Sequence, residues 1–229
     1  GLRCGGVRGG QVAAAVVVQA GTEWRVRKTA DAQGAARALA RDAALTWTAV
    51  QVQAAPAVEV NGALDVRTLQ ASVVAAQMAG ALSSVFQRSL QYANERQQFG
   101  RPIGKFQAIQ HQLAVMSEHV FAARMAAQLG CSAGHDGMGV VPDRLRVATA
   151  KARCSEAALV VSELAHAIHG AIGFTEEYDL QLFTRRLHAW RQTAGSEAYW
   201  YGVAGEALLH HPGMTLDIVR RITDVDAVL

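Results

Sequence analysis

Arg96-Gln-Gln-Phe-Gly-Arg-Pro-Ile-Gly-Lys-Phe-Gln-Ala-Ile-Gln110 is a polar break between two long, apolar, helix-patterned stretches. It gathers three cations, two phenylalanines, two glycines and four glutamines in fifteen residues. An arginine at a helix end, beside an aromatic-Gly turn, suits a diphosphate, because the guanidinium presents a fixed fork of charge-assisted donors. Phe99 and Phe106 can cover an aromatic ring, and Gln107 and Gln110 can supply neutral donors and acceptors at its edge. The same residues allow a plainer reading, in which Arg96 caps its own helix and the amides face solvent.

Upstream, Asp65 is placed as the N-cap of a helix from Val66 to Asn94, with Leu69, Val73, Ala76, Ala79, Phe86 and Leu90 near one face and Gly80 mid-way. Such a helix would be about 40 Å long at the standard rise. Downstream, a second helix is expected from Lys105 to Leu129, stopped by Gly130, with a Gly-rich connection at Gly134-His-Asp-Gly-Met-Gly139. Pro142-Asp143 opens a third, which ends near His169-Gly170. Shorter helices at Leu180–Arg191 and Ser196–His210 complete an up-and-down bundle, and Pro212 to Leu229 reads as a last short helix or an arm on a partner. No internal repeat is visible.

Before residue 62 the pattern is different. Val12–Gln19 and Glu23–Arg27 read as strands around Ala20-Gly21-Thr22, and Thr46–Gln53 alternates with period two as a third, half-buried strand. The Ala-rich stretch from Asp31 to Ala40 is a short helix or a loop. The chain thus divides into a small β segment over 1–62, a helical bundle over 63–211 and a tail over 212–229, a mainly α fold.

Composition narrows the function classes. The 229 residues are 51% hydrophobic and 18% charged, too apolar for a disordered chain. No uninterrupted apolar run reaches the roughly 18 residues of a membrane span, and the opening GLRCGGVRGGQ has no signal-peptide pattern, so a cytoplasmic protein is expected. Cys4, Cys131 and Cys154 are scattered and suggest neither a disulfide framework nor a zinc site. Net charge is only +3, although the pI is about 9.0. The basic run Arg144 to Arg153 has helical spacing and no interleaved aromatics, so it reads as a solvated helix face, or one meeting an acidic partner, and not as a nucleic-acid site. His166 and His169, with Glu163, could in principle share a metal, and His210-His211 are adjacent. No HExxH accompanies them, and packed or surface histidine is the favoured reading. GxSxG, P-loop and dinucleotide GxGxxG motifs are lacking.

The array Arg96-x-x-Phe99-Gly100-x-x-Ile103-x-x-Phe106-Gln107-x-x-Gln110 resembles the signature of the acyl-CoA dehydrogenase family in its C-terminal helical domain. Ala167-Ile-His-Gly-Ala-Ile-Gly-Phe-Thr-Glu-Glu-Tyr178 resembles the family's Gln-x-x-Gly-Gly-x-Gly-aromatic segment. Arg185 to Ser196 resembles its final Arg-rich helix and following turn, and the early strands are similar to its middle β domain. The resemblance implies a C-terminal four-helix bundle preceded here by a partial β domain. It also implies a flavoprotein, in which a carboxylate takes the α-proton of an acyl-CoA as hydride leaves the β-carbon for FAD, with an electron-transfer flavoprotein as the onward acceptor. The adenine and diphosphate end of each FAD touches the neighbouring subunit. Those contacts would fall here on Arg96, Phe99 and Gln107 and on the backbone around His169, Gly170 and Ala171.

The catalytic base is another matter. Where short- and medium-chain members carry it in an aromatic-Glu-Gly-Thr turn, alignment of Gly195-Ser196 places Ala194. Where isovaleryl-type members carry it on the long helix, alignment places Gln70, and Val66 through Asn94 contains no Asp or Glu. Alanine cannot accept a proton. The family's Gln and second Gly are Ala167 and Ala171 here. The chain therefore resembles the small, non-catalytic subunits of the actinobacterial α2β2 enzymes that act on CoA thioesters of steroid side chains, with a larger homologue as partner. Two alternatives stay open: a fragment of a complete homo-oligomeric enzyme using Glu177 or Glu197 as base, and a flavin-free scaffold.

Overall fold

The structure, a computed structural model, describes residues 2–7, 9–20, 23–36, 42–58, 65–132 and 142–224. It divides into two compact units, 1–64 and 65–229.

The first unit contains β1 (Leu2–Val7), β2 (Ala15–Ala20), β3 (Glu23–Lys28), β4 (Gln33–Ala36), β5 (Ala43–Trp47), α1 (Ala49–Ala54) and β6 (Ala57–Val58). They form two antiparallel three-stranded sheets, ordered β1-β5-β4 and β2-β3-β6. The expected hairpin is β2–β3, with Val16 opposite Arg27 and Val18 opposite Arg25, and its Gly21-Thr22 turn lies outside the described residues. Val18, Ala43, Leu45 and Trp47 are the buried centre, and the Trp47 indole donates to the Lys28 carbonyl at 3.2 Å.

Two expectations fail here. Asp31–Ala40 is neither helix nor simple loop: a 3-10 turn ending at Asp31 leads into β4, which pairs with β5 from Gln33 to Ala36, and 37–40 lie outside the described residues. The period-two stretch Thr46–Gln53 is strand only to Trp47. Thr48 then accepts from the Gln51 amide while Gln51 reaches back to the Thr48 amide, a capping box that starts α1. That local signal outweighs an alternation with too few residues to build a strand of its own. β1 was not anticipated.

The second unit runs α2 (Val66–Glu95), the two-residue strands β7 (Gln97–Gln98) and β8 (Arg101–Pro102), α3 (Gln107–Cys131), α4 (Arg144–His169), α5 (Leu180–Gln192), α6 (Glu197–Leu209) and α7 (Thr215–Thr223). The expected Asp65 cap is made, Ser196 caps the helix after it by accepting from the Tyr199 amide, and the Asp143 carboxylate accepts from the Leu145 and Arg146 amides. α2, α3 and α4 pack on one another, α5 closes the bundle against α2 and α4, and α6 lies along α4. The tail forms α7, with 225–229 outside the described residues, as is the Gly134–Gly139 connection. By length and composition α2 and the α4 segment through Phe174 could each cross a membrane, although neither has an uninterrupted apolar run. Their inner faces instead form the bundle core around Met78, Leu82, Val85 and Val161.

The buried face of α2 is only partly the one expected: Ala79 is buried and Phe86 packs against the core. Leu69, Val73, Ala76 and Leu90 are exposed, whereas Ala71, Ala75, Met78, Leu82 and Val85 are buried. The reason is small-residue packing: helices lined with alanine approach closely, so the inner stripe is chosen by size as much as by hydrophobicity. Gly130 belongs to that packing and is no helix stop. α3 continues through it, and a Cβ there would lie 2.6 Å from the Ala150 Cβ on α4.

The basic run on α4 is also not a solvated face. Arg146, 2% exposed, donates to Ser132 Oγ at 3.0 Å and to the carbonyls of Arg221 at 3.3 Å and Asp224 at 2.5 Å, tying α7 to the bundle. Lys151, 0% exposed, donates to Ser155 Oγ and to the carbonyls of Arg191 and Gly195, each at 2.9 Å. Buried charge is tolerated where every proton is taken, which side chain spacing alone cannot reveal. Burial still pulls the Lys151 ammonium down to about 8. Cys154 is buried against α2 and α3, and burial pushes its thiol up to about 12.

Candidate functional site

The loop after α2 is a tight hairpin. Gln97 pairs with Pro102 and Gln98 with Arg101, and the Ile103 amide donates to the Arg96 carbonyl at 2.8 Å. Phe99 (φ 52) and Gly100 (φ 78) both occupy the left-handed region, as a type I′ turn requires. Glycine meets that demand freely, but a phenylalanine there carries strain of about 1–2 kcal/mol. Phe99 is also 91% exposed, with only an edge contact to Phe106 at 6.1 Å, so a strained aromatic is held out from the surface. Arg101 lies over the Phe106 ring at 4.2 Å.

The second strand of the site is distant in sequence. α4 ends at Gly170, whose positive φ of 64 favours glycine and whose amide donates to the His166 carbonyl. A short 3-10 turn over Gly170–Phe174 follows. Packing of α2 against α4 brings this turn to the hairpin, and the two enclose a cavity of about 530 Å3. Arg96, Gln98, Phe99, Ile103 and Phe106 line it from one side and Ala167 through Ile172 from the other, with Tyr92 between. Its size falls within the range of small-molecule clefts.

Of the residues expected at a cofactor, Arg96, Phe99, Gly170 and Ala171 line this cavity together. Gln107 does not; it is the exposed first residue of α3. Gln110 is also outside the lining, its amide nitrogen donating to the Gly104 carbonyl at 3.0 Å. Arg96 does cap α2, but only through its backbone amide, which donates to the Tyr92 carbonyl at 2.8 Å. Its guanidinium has no partner among the described residues. Ala167 and Ile172 make the far wall apolar.

Tyr92 and His169 are wall residues that periodicity did not single out for this role. His169 is 4% exposed, stacks on Tyr92 at 4.4 Å and tilts against Tyr178 at 5.0 Å. Its Nδ1 donates to the Ala165 carbonyl at 2.7 Å, and its Nε2 is buried with no partner among the described residues. His166 points elsewhere, with Nε2 at 3.0 Å from Thr184 Oγ1 and its ring stacked on Phe174 at 4.2 Å. Burial holds both imidazoles below the ordinary histidine value. The pair does not share a ligand direction, and among the described residues no group of three or more His, Cys, Asp or Glu is gathered.

The positions considered for a base lie in different surroundings. Gln70 is exposed on α2. Ala194 (φ 60) sits in the α5–α6 turn, where its carbonyl accepts from the Trp200 indole at 3.1 Å and Lys151 takes the flanking carbonyls. Glu197, next to that turn, is bound bidentately by the Nε–Nη2 edge of the Arg191 guanidinium. Burial acts to raise its carboxyl, but the hydrogen bonds from Arg191 and from its own backbone outweigh that and hold it below the usual range. An ion-paired, acidified carboxylate is a poor proton acceptor. Glu177 is exposed and does not line the cavity. The arrangement can bind an anion and an aromatic group. Among the described residues no carboxylate lines the cavity.

Comparison with known proteins agrees with this fold. The model of the acyl-CoA dehydrogenase C-terminal domain matches residues 68–209. Acyl-CoA dehydrogenase IpdE2 of Mycolicibacterium smegmatis is 37% identical over 125 residues, covering 55% of this chain and 38% of that protein. Acyl-CoA dehydrogenase FadE34 of Mycobacterium tuberculosis is 32% identical over 201 residues, 86% of this chain and 28% of that protein. The chain thus spans less than two fifths of the length of these relatives. Among solved structures, the ChsE4-ChsE5 complex from Mycobacterium tuberculosis shares the fold with a TM-score of 0.76 at 23% identity, over 90% of this chain and 58% of that one. The Tcur3481-Tcur3483 steroid ACAD gives 0.68 at 25% identity, over 87% and 63%.

Proposed function

The chain belongs to the acyl-CoA dehydrogenase family, and on that premise we propose that it is the small, base-less subunit of a heteromeric FAD-dependent acyl-CoA dehydrogenase. The observation that carries the reading is the anion-and-aromatic cavity at the hairpin, whose described lining holds no carboxylate; by resemblance alone, Ala194 in the α5–α6 turn would fall where short- and medium-chain members carry the base. The first unit would correspond to part of the family's middle β domain.

The donor set fits one end of FAD. Arg96 offers an unpaired guanidinium to a diphosphate, Phe99 an exposed ring to an aromatic base, and the backbone at Gly170 and Ala171 lies on the opposite wall. When bound, FAD would supply the hydride acceptor for oxidation of a Cα–Cβ bond of an acyl-CoA. This chain's part is to bind and orient: Arg96 fixes the charge of the diphosphate, Phe99 shields the base from water, and the hairpin is pinned to α2 through the Ile103–Arg96 bond. The carboxylate base and the remainder of the flavin pocket would belong to a larger homologous chain in an α2β2 assembly, with an electron-transfer flavoprotein as onward acceptor. A steroid side-chain CoA thioester is the substrate class we favour; the similarity to a two-protein steroid ACAD at 25% identity supports it.

Co-expression with the larger homologue and a count of flavin per tetramer tests the reading. Two flavins per tetramer, with flavin lost on Arg96→Ala and turnover retained on Glu197→Gln, is the expected result. Four flavins, turnover by this chain alone, or turnover abolished by Glu197→Gln would overturn it. Flavin and turnover unchanged in Arg96→Ala would point instead to a scaffold role.

A further inference from the structure

A cavity of about 400 Å3 lies where α4, α6 and α7 meet, and it shares no lining residue with the one at the hairpin. Leu145, Val203, Ala207 and Ile218 form its apolar wall, and Leu145 and Ile218 are buried, so the cavity reaches the core. Its polar lining is Arg144 from α4, Arg221 from α7, and Glu206, His210 and His211 from the end of α6 and just beyond.

The two arginines differ in how far they are engaged. Arg144 Nη1 goes to the Asp65 carboxylate and, at 3.0 Å, to Thr68 Oγ1, and its Nη2 goes to the Tyr199 hydroxyl at 3.0 Å. Arg221 makes one long bond, from Nη2 to Asp143 Oδ2 at 3.3 Å, and its side chain is 64% exposed. The other Asp143 oxygen is occupied in capping α4. Nε and Nη1 of Arg221 have no partner among the described residues. Nδ1 of His210 is taken by the Glu206 carbonyl at 2.8 Å and Nε2 of His211 is buried, so Arg221 carries the larger share of the free donors. Its backbone is already fixed, because the buried Arg146 donates to the Arg221 carbonyl. A ligand therefore meets a wall in place, with little left to order.

We propose that this cavity binds a small amphipathic monocarboxylate, its apolar body against Leu145, Val203 and Ile218 and its carboxylate on Arg221. The volume and the apolar wall with few polar groups are those of small-ligand clefts. A guanidinium holds a carboxylate by charge-assisted hydrogen bonds. Glu206 selects the ligand's charge, since it repels a phosphate dianion about twice as strongly as a monoanion. The site is independent of the flavin reading of the hairpin cavity.

The test is a titration of the purified chain with octanoate, benzoate, 1-octanol and inorganic phosphate, followed by methyl NMR, in the parent, Arg221→Ala, Arg221→Lys, Glu206→Gln and Arg96→Ala forms. In the parent, a carboxylate at millimolar concentration should shift the methyls of Leu145, Val203 and Ile218 saturably and leave those of Val161 in the bundle core unmoved. Arg221→Ala should weaken carboxylate binding about tenfold, the worth of one charge-assisted bond. Arg221→Lys should fall between, Glu206→Gln should strengthen binding, and Arg96→Ala should leave it unchanged. Binding of 1-octanol should not depend on Arg221. The inference is overturned if neither carboxylate moves the three methyls saturably, if carboxylates bind equally to parent and Arg221→Ala, if Glu206→Gln weakens them, or if phosphate binds more tightly than both. None of these results alters the flavin count in Arg96→Ala, which tests the hairpin cavity separately.

Discussion

Two glycines lie inside long helices, and the structure assigns the same substitution opposite signs at them. At Gly80, on the outer face of α2, an added Cβ meets nothing within 4 Å. Gly80→Ala should therefore stabilise by about 1 kcal/mol, the helix-propensity gain. At Gly130 the same gain is available, but the new Cβ would lie 2.6 Å from the Ala150 Cβ, with the Arg146 carbonyl at 3.5 Å and the Val147 Cα at 3.6 Å. A carbon pair needs about 3.5–4.0 Å, so α3 and α4 would have to separate by roughly 1 Å along a tightly packed seam. Overpacking of that kind costs about 1–3 kcal/mol, and the backbone on the far side puts this site at the upper end. Because the propensity term is common to both variants, the difference between them isolates the clash at about 2–3 kcal/mol. At the usual 2–4 °C per kcal/mol for a chain of this size, Gly130→Ala should melt roughly 4–12 °C below Gly80→Ala when the helical signal is followed by circular dichroism. Ala150→Gly in the Gly130→Ala background should restore most of the loss, a coupling that a double-mutant cycle measures. Equal melting temperatures for the two single variants would refute the close α3–α4 contact.

Lys151→Met removes the donor to the Arg191 and Gly195 carbonyls and should lower stability by about 2–4 kcal/mol, read as a reduced urea midpoint at unchanged slope. His166 and His169 are held below the ordinary value of 6.5, so at lower pH the unfolded chain binds protons that the folded chain refuses. Stability should accordingly fall as pH drops below about 6.5, and His169→Phe should flatten that slope in urea titrations between about pH 5 and 7. Asp65, Glu156, Asp179 and Glu197 are held below their ordinary range and contribute a separate loss only as pH falls through lower values. Phe99→Gly relieves the left-handed strain at an exposed position, so it should stabilise the isolated chain by up to about 1 kcal/mol while weakening ADP binding. A destabilised Phe99→Gly variant would show that the ring is packed and not presented.

The helical caps were legible because their signals are local. Asp65, Asp143 and Ser196 each sit where a short polar side chain reaches an amide two or three residues on, and no tertiary partner is needed to make that bond. The hairpin residues and the 167–174 segment were legible as resemblance to a family, which carries with it the spatial pairing of two stretches some seventy residues apart. In the helical unit what failed depended on the approach distance of packed helices, and in the first unit the Thr48 capping box cut short an alternation read as strand. Leu69 and Val73 face outward because alanine-lined helices meet on the other side of α2, and Gly130 is a contact and not a stop.

By itself the sequence determined the order and type of the long helices, the β-rich start, the absence of an acidic residue from Val66 through Asn94, and the anion-and-aromatic character of the loop at Arg96. Only the tertiary structure decided which charges are solvated. Arg146 and Lys151 are interior clamps while Arg96, with the same charge, is left without a partner, because the acceptors that satisfy the first two come from Ser132, Arg191, Gly195, Arg221 and Asp224 on other elements. Tertiary packing also turned His169 from one of eight histidines into a buried ring held between Tyr92 and Tyr178. Hydrogen-bond satisfaction inside a fold depends on distance in space, and spacing along one helix reports only the neighbours that helix itself supplies.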